Sequence, residues 1–436
     1  MKNKIISTHI KKLSPGLMLV LGFALVILIG TLLLIVPFTH NDGVAVSFID
    51  ALFTSTSAVC VTGLIAIDTA DTFSAIGCTV IALLIQIGGL GVASAGVGLI
   101  LLTGKKIGLK SRQLVKEALN LNSFKGAVSL VRSILLITLC IELMGAALSY
   151  ITFSKVYSPL KAIGVSLFHS IAAFNNAGFD MLGGLTNLIP YRGDVLLNLT
   201  TCGLIFFGGI GFLVILDVLH KRRFKTLTLQ SKVAISMSMA LIILGTLLLK
   251  TTEDITWLAA FFQSITARTA GFSTVPIGSL TNAGLFVLIM LMVIGASPGS
   301  TGGGMKTTTF FALLISMRGT MLNRQPTAFR RSISNNAIAK AFLILLLYLG
   351  VICTGTFALC LLEPEYSFIQ ILFEVVSGFA TVGLSTGITP DLGSAAKLIM
   401  ILIMFIGRLG PLTILLLGAS RPEQGAHYTE EPLTIG

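Results

Sequence analysis

The chain has 436 residues, of which 54% are hydrophobic and only 11% carry a formal charge, and its net charge is +12. Mean hydropathy is +0.94. Because a soluble domain typically has about 25% charged residues, this composition excludes an ordinary soluble protein and predicts a chain with a lipid-facing surface.

The first apolar run, residues 17–37, follows a basic N-terminus. A signal peptide has an apolar core of about 7–15 residues and a small-residue cleavage site. This run is longer and has no such site. Because about twenty apolar residues span a bilayer core, we predict a retained transmembrane helix.

A pattern of long helix, short half-polar segment, glycine loop and second long helix recurs four times. The short segments have about 11 or 12 residues, which is too short to cross a bilayer and predicts re-entrant pore helices. Long helices are predicted at 17–37 and 73–102, 130–153 and 195–219, 233–249 and 282–317, and 337–362 and 398–417, with short segments at 47–57, 163–174, 255–266 and 368–379.

The predicted fold is therefore an all-α integral membrane protein, with four helix–pore helix–helix repeats in a pseudo-fourfold arrangement around one pore. The repeats cover residues 1–125, 126–228, 229–335 and 336–436. The third repeat, 229–335, is predicted to have a broken second helix.

Most Lys and Arg residues lie at the N-terminus and between the repeats. Such segments stay in the cytoplasm, which puts both termini inside and makes every glycine loop enter from outside. The outer segments are mainly acidic. Two interpretations stay open here: the acids attract cations to a pore mouth, or they are merely tolerated outside.

Each glycine loop follows a short helix whose C-terminal, partly negative end would face a shared cavity and favour cations. Backbone carbonyls around one axis can replace the hydration shell of an ion, and glycine permits the backbone angles that this requires. Thr381-Val382-Gly383 matches the T-V-G core of potassium-channel filters. The residues predicted to bind the ion are Val61, Thr62, Gly63, Asn176, Ala177, Gly178, Thr269, Ala270, Gly271, Thr381, Val382 and Gly383.

The second helix of the third repeat contains five glycines and a proline between Gly295 and Gly304. Such a run cannot stay helical. We interpret it as a gating loop below the filter, with a helix kink and a phosphate-binding loop as weaker alternatives, the last because Met305 separates Gly304 from Lys306. The predicted gate comprises Gly299, Ser300, Thr301, Gly302, Gly303, Gly304, Lys306 and Arg408.

Arg408 is expected in the gate because a charge within the apolar run 398–417 is costly and indicates function. It would repel cations or bind loop carbonyls, unless a structural acid neutralises it. Arg268 lies three residues before Gly271. We predict that it pairs with a pore-helix acid, Glu374 or Asp50, and supports the filter from behind.

These motifs resemble the Trk/Ktr/HKT superfamily of potassium transporters, and most closely the Ktr-type ion-translocating membrane subunit. The resemblance covers nearly the whole chain and also includes Gly407-Arg408-Leu409-Gly410-Pro411. It implies a row of ions passing the four glycines. Sodium-preferring relatives tend to have serine at the first of them, so Gly63 favours K⁺, with Na⁺ still possible.

The resemblance also implies a homodimer with one pore per subunit and a cytosolic regulatory ring of Rossmann-type nucleotide-binding domains. We expect no nucleotide to bind this chain itself, and we expect contacts with membrane lipid but not with nucleic acid. The basic loops and residues 430–436 are predicted contacts for the ring.

The predicted function is potassium uptake across the cell membrane, as the pore-forming subunit of a Ktr-type system. The alternative is a secondary transporter coupled to sodium or protons, for which Glu142 is the titratable candidate. A non-transporting scaffold would not explain four filter-like loops. The five histidines and six cysteines lack ligand spacing, so we predict no zinc site, no disulfide framework and no enzyme chemistry.

Overall fold

The structure is a computed structural model that describes residues 15–102 and 126–416, and residues 108, 112, 113, 115 and 116 between them. Regular structure in these parts is helical apart from one antiparallel pair of two-residue strands, Thr327–Ala328 and Arg331–Ser332. The predicted all-α class is confirmed. The predicted basic N-terminus, Lys105, Lys106, Lys110 and Lys125, and the proposed contact at 430–436 lie outside the described residues.

Four long helices, which we call the outer helices, are apolar and long enough to cross a membrane. Each leaves leucine or isoleucine side chains exposed, for example Leu32, Leu136, Ile243 and Leu346, as expected for surfaces that face lipid. The outer helices are Pro15–Ile35, Ala127–Phe153, Leu229–Thr252 and Asn335–Leu362.

Four shorter helices, which we call the pore helices, each follow a serine or threonine N-cap. Ser47 accepts a hydrogen bond from Asp50 N and Thr256 accepts one from Ala259 N, so the side chains satisfy otherwise unpaired helix donors. The pore helices are Phe48–Cys60, Pro159–Phe174, Trp257–Thr266 and Phe368–Phe379. Phe53, Phe174, Phe262 and Phe373 on these helices are fully buried, so the core lies around them.

The second helices of the repeats, which we call the inner helices, are broken in every repeat. The prediction of continuous helices at 73–102, 195–219 and 398–417 was therefore wrong, whereas the predicted break in repeat three is present. The inner helices are Ala75–Leu90 with Val92–Leu102, Val195–Ile210 with Phe212–Lys221, Asn282–Val293 with Thr307–Met321, and Ser394–Leu409 with Pro411–Leu416.

Three single glycines make the unexpected breaks. Gly91, Gly211 and Gly410 have φ of 81°, 98° and 83° and ψ of 135°, 134° and 133°. This combination lies outside the regions open to residues with a Cβ atom. The bends at Gly91 and Gly211 measure 104° and 94°.

Short elements complete the described chain. One 3₁₀ turn lies between the first outer helix and the first pore helix, the segments between pore and inner helices contain a helical turn and two 3₁₀ turns, and one 3₁₀ turn precedes the third outer helix. These elements are Pro37–Thr39, Thr69–Thr72, Ile189–Tyr191, Phe224–Thr226 and Ile277–Ser279.

Candidate ion filter and gate

The four predicted filter loops share one backbone conformation. In each, the glycine and the residue two positions before it have positive φ, a region that most non-glycine residues avoid. The same unusual pair in four places shows that the loops are built alike. The residues are Val61 (56°) and Gly63 (90°), Asn176 (59°) and Gly178 (67°), Thr269 (76°) and Gly271 (80°), and Thr381 (51°) and Gly383 (92°).

The four glycines form a closed ring in chain order. A Cβ atom built on Gly63 would lie 2.9 Å from Gly178 Cα, and one on Gly178 would lie 3.0 Å from Gly271 Cα. One on Gly271 would lie 3.1 Å from Gly383 Cα, and one on Gly383 would lie 2.8 Å from Gly63 Cα. The structure therefore brings the predicted filter residues together, with no room for a side chain at the ring.

Four carbonyl oxygens face this ring, each from the residue before a glycine. The oxygen of Ala177 lies against Gly63, that of Ala270 against Gly178, that of Val382 against Gly271 and that of Thr62 against Gly383. Oriented carbonyls around a narrow axis are the groups that replace water around a cation.

Two buried serines fix part of this geometry and were not predicted from the sequence. Ser57 Oγ accepts a hydrogen bond from Gly63 N at 3.0 Å, and Ser377 Oγ accepts one from Gly383 N at 3.1 Å. Both serines lie six residues before the glycine, a spacing that could have revealed them. Repeats two and three have Ala172 and Ile265 there, so the four quarters are not equivalent.

The predicted pairing of Arg268 with an acid was wrong. Arg268 is buried and donates to Ser238 Oγ at 3.0 Å and to Ser238 O at 3.4 Å. Ser238 is on the third outer helix, so the Arg268 side chain points towards that helix and away from the ring. Among the described residues, no carboxylate lies within ion-pair distance of Arg268.

The two candidate acids have other partners. Asp50 accepts from Lys397 Nζ at 2.8 Å, which joins the first pore helix to the fourth inner helix. Glu374 is fully buried and accepts from Ser385 Oγ at 2.6 Å, Thr386 N at 2.8 Å and Thr389 Oγ1 at 2.8 Å. Each acid holds a loop or helix beside the filter rather than Arg268.

Lys397→Met is expected to lower the free energy of unfolding by about 2 kcal/mol, between the values for exposed and buried ion pairs. The side chains of Lys397 and Asp50 are 11% and 21% exposed, so Asp50 would lose its partner in a partly buried place. Reversible unfolding in mixed micelles measures the effect. Lys155→Met, at an exposed lysine, is the control, and equal losses in both variants would contradict the assignment.

The break in the third inner helix lies directly against the base of the filter. A Cβ atom built on Gly302 would lie 3.2 Å from Thr269 Cβ, and one on Gly303 would lie 3.1 Å from Thr381 Cβ. The same segment docks on the bend of the second inner helix, where Ser297 N donates to Gly209 O at 3.0 Å. The loop is therefore packed against the filter loops of repeats three and four and against the second inner helix.

Two cationic side chains hold the carbonyls of this loop. Lys306 Nζ donates to Gly302 O at 2.6 Å and to Gly303 O at 3.4 Å. Arg408 donates to Thr301 O and, on the first inner helix, to Gly88 O. The predicted Lys306 and Arg408 thus meet at one loop, and Arg408 joins three inner helices across the axis.

A cavity of about 570 Å³ lies on the other side of the ring. It is lined by three of the ring glycines, Gly63, Gly271 and Gly383, and by one carboxylate, that of Asp180. The ring therefore has an open cavity on one side and, on the other, a loop whose carbonyls bind Lys306 and Arg408.

The geometry is that of a membrane protein with a narrow, carbonyl-lined path for a cation. Comparison with known proteins agrees: a family model described as TrkH, a cation transport protein, matches residues 17–249 and 220–428. The chain belongs to this family of cation transport proteins. It is a multi-pass membrane transport protein and not an enzyme.

Individual relatives support the same placement over nearly full length. The chain is 40% identical to the Ktr system potassium uptake protein B of Bacillus subtilis, over 98% of this chain and 97% of that one. It is 39% identical to the potassium/sodium uptake protein NtpJ of Enterococcus hirae, over 98% of both chains. The predicted family resemblance is confirmed.

The fold is also similar to a solved structure. The crystal structure of the potassium transporter TrkH from Vibrio parahaemolyticus superimposes with a TM-score of 0.74 at 20% identity, covering 94% of this chain and 86% of that one. This similarity shows a shared fold for the described helices.

Proposed function

We propose that this chain takes up K⁺ across the cell membrane as the pore-forming subunit of a Ktr-type system. The observation that carries the proposal is the closed ring of Gly63, Gly178, Gly271 and Gly383, with a carbonyl oxygen facing each of them. The uptake named for the relatives from Bacillus subtilis and Enterococcus hirae includes potassium. The ion would pass the ring largely dehydrated, with carbonyls in place of water.

Two features favour a monovalent cation in this ring. All four pore helices end at the filter loops, so their partly negative C-terminal ends face the ion. The oxygens nearest the ring glycines belong to backbone carbonyls, whose partial charges suit an ion that must also leave. Gly63 at the first position favours K⁺ over Na⁺, as the family resemblance implies.

The loop from Gly299 to Gly304 is the gate in this proposal. Lys306 and Arg408 hold its carbonyls in the path of the ion, and their charges repel a cation that has passed the ring. Opening requires the loop to break its hydrogen bond with Arg408 and move, because ions cannot pass while the loop lies in their path.

Uptake at low K⁺ is expected to fall roughly fivefold as the external pH drops from 7 to 5. Asp180 lies in the outer loop after the filter, and burial raises the pKa of its carboxyl to about 6. Above pH 6 the carboxylate is charged and attracts cations to the cavity, whereas below pH 6 it is neutral. Asp180→Asn should remove the pH step, and an unchanged pH profile in this variant would refute the role.

We further propose the assembly that the family resemblance implies: a homodimer in the cell membrane, with both termini cytoplasmic, and a cytosolic ring of Rossmann-type subunits that bind the nucleotide. The basic segments between repeats, such as Arg222, Arg223, Arg330 and Arg331, are the contacts proposed for that ring. Co-purification of the full chain with its ring subunit, and loss of the complex when these arginines are replaced by serine, tests the contact.

A second candidate function is potassium uptake coupled to Na⁺ or protons. A relative at 39% identity is named a potassium/sodium uptake protein. Glu142 also offers a buried carboxylate near the filter, which accepts from Asn175 Nδ2 at 3.0 Å and Gln86 Nε2 at 3.3 Å. Potassium flux into liposomes that stops without Na⁺ would favour coupling to Na⁺. Flux that needs a proton gradient in the wild type, but not in Glu142→Gln, would favour coupling to protons.

A further inference from the structure

A short outer segment crosses from the second repeat to the first and third beside the filter. We call Gly183–Leu188 the strap. Four of its residues have positive φ: Gly183 (84°), Gly184 (66°), Leu185 (53°) and Asn187 (50°). Such backbone persists where surrounding contacts determine it, and it is common at functional sites.

Both ends of the strap are anchored to neighbouring repeats. On the side of repeat one, Leu185 N donates to Asp68 Oδ2 at 2.7 Å and Gly184 N donates to Asp71 Oδ2 at 2.9 Å. On the side of repeat three, Leu188 N donates to Ser273 O at 3.1 Å. The strap of repeat two is therefore bound to both repeat one and repeat three.

The Asn187 side chain makes four hydrogen bonds at the centre of this bridge. Its Oδ1 accepts from Ser273 N at 3.0 Å and from Leu188 N at 2.9 Å. Its Nδ2 donates to Asp180 Oδ2 at 3.0 Å and to Gly178 O at 3.3 Å. Two backbone donors on one side and two acceptors on the other leave only one orientation for the amide.

The bond to Gly178 O distinguishes this residue. Gly178 is one of the four ring glycines, and Ser273 follows the ring glycine of repeat three by two positions. Within the described residues, the carbonyls of Gly63, Gly271 and Gly383 receive no comparable hydrogen bond from a side chain. Asn187 therefore ties the backbone of one ring glycine, Gly178, to the filter loop of repeat three.

We propose that Asn187 is a positioning residue that fixes the backbone of Gly178, and with it the adjoining Ala177 carbonyl that faces the ring, at the spacing suited to K⁺. It would thereby contribute to the choice of K⁺ over Na⁺. This inference rests on the proposed function. Na⁺ is the smaller ion, and oxygens must move inward to replace its water. A Gly178 backbone tied back by Asn187 resists inward movement of the adjoining Ala177 carbonyl, whereas a released backbone lets that carbonyl follow the smaller ion.

Asn187→Asp is the test because it changes only one half of the amide. Aspartate also tolerates positive φ and keeps an oxygen for Ser273 N and Leu188 N, but it cannot donate to Gly178 O. The ratio of K⁺ to Na⁺ uptake is expected to fall about fivefold, which corresponds to about 1 kcal/mol for one hydrogen bond. Uptake by liposomes containing the full chain, with each ion alone and in competition, measures the ratio.

Two further variants separate positioning from general damage. Asn187→Asp combined with Asp180→Asn removes the repulsion between two acids and should recover thermal stability, while the K⁺/Na⁺ ratio stays low because Gly178 O is still unbound. Thr186→Val removes the hydrogen bond from Thr186 Oγ1 to Gly183 O in the same strap and should leave the ratio unchanged.

The outcomes distinguish this inference from the function on which it rests. A wild-type preference for K⁺ that Asn187→Asp retains would overturn the positioning role alone. Recovery of the ratio in the double variant would also overturn it, since stability and not the Gly178 bond would then decide. A wild-type chain that takes up Na⁺ as readily as K⁺ would refute the proposed function itself.

Discussion

Gly63→Ser is expected to reduce the preference for K⁺ over Na⁺ by tenfold or more. Gly63 has φ of +90°, where a residue with a Cβ atom is strained by roughly 1–2 kcal/mol. That Cβ atom would also collide with Ala177 O and lie 2.9 Å from Gly178 Cα. The ring must widen on one side to accept it, and at 1.4 kcal/mol per factor of ten this strain is enough to alter ion choice.

Competitive uptake of K⁺, Rb⁺ and Na⁺ by cells that lack other potassium uptake measures the change. The matched control is Gly164→Ser on the second pore helix, where an added Cβ meets open space. That variant should retain the wild-type ratio. A Gly63→Ser variant with an unchanged preference would show that ion choice does not depend on this ring.

Arg408→Ala is expected to raise the resting cation flux at least tenfold in the absence of an activating partner. Arg408 donates to Thr301 O on the loop and to Gly88 O on the first inner helix. Charge-assisted hydrogen bonds contribute roughly 1.5–3 kcal/mol each, so their loss shifts the balance between closed and open loop by one to two powers of ten.

Arg408→Lys separates the two physical roles of this side chain. Lysine keeps the positive charge but is a compact point charge that cannot present the planar fork of arginine to two carbonyls. An increase in flux with both variants would assign the gate to hydrogen bonding, and an increase with alanine alone would assign it to repulsion. Arg318→Ala, at an exposed arginine near the end of the third inner helix, is the control. Unchanged flux in Arg408→Ala would refute the gate.

The positions of the four glycine loops could be predicted because what shapes them is local. A pore helix, a glycine with positive φ and a fixed spacing all lie within about fifteen residues of chain, so Gly63, Gly178, Gly271 and Gly383 are visible in the sequence. The broken helix of repeat three was predictable for the same reason, because Pro298 and five glycines cannot form a helix.

The bends at Gly91, Gly211 and Gly410 could not be predicted in this way. A single glycine within an apolar helix costs only about 1 kcal/mol, and most helices accommodate it. At Gly211 the bend is fixed by a distant group, since Phe212 N donates to Gly299 O of the loop. Such a contact joins two repeats and has no signature near the glycine.

The predicted partners of charged residues were wrong for a related reason. Arg268 meets Ser238, and Asp50 meets Lys397 across 347 positions of chain, so spacing along the sequence carried no information about either pair. Asn187 was missed because an asparagine in a loop is ordinary. Only its contact with Gly178 O across the folded loop distinguishes it.

Ion flux into liposomes that contain only the purified full-length chain tests the central claim most directly. With K⁺, Rb⁺ or Na⁺ as the sole permeant cation, the ring of four glycines predicts uptake of K⁺ and Rb⁺ in excess of Na⁺, with no need for a second ion. Arg408→Ala provides the open reference in the same experiment. The absence of K⁺ flux in this variant, or flux that requires a Na⁺ gradient, would contradict the account.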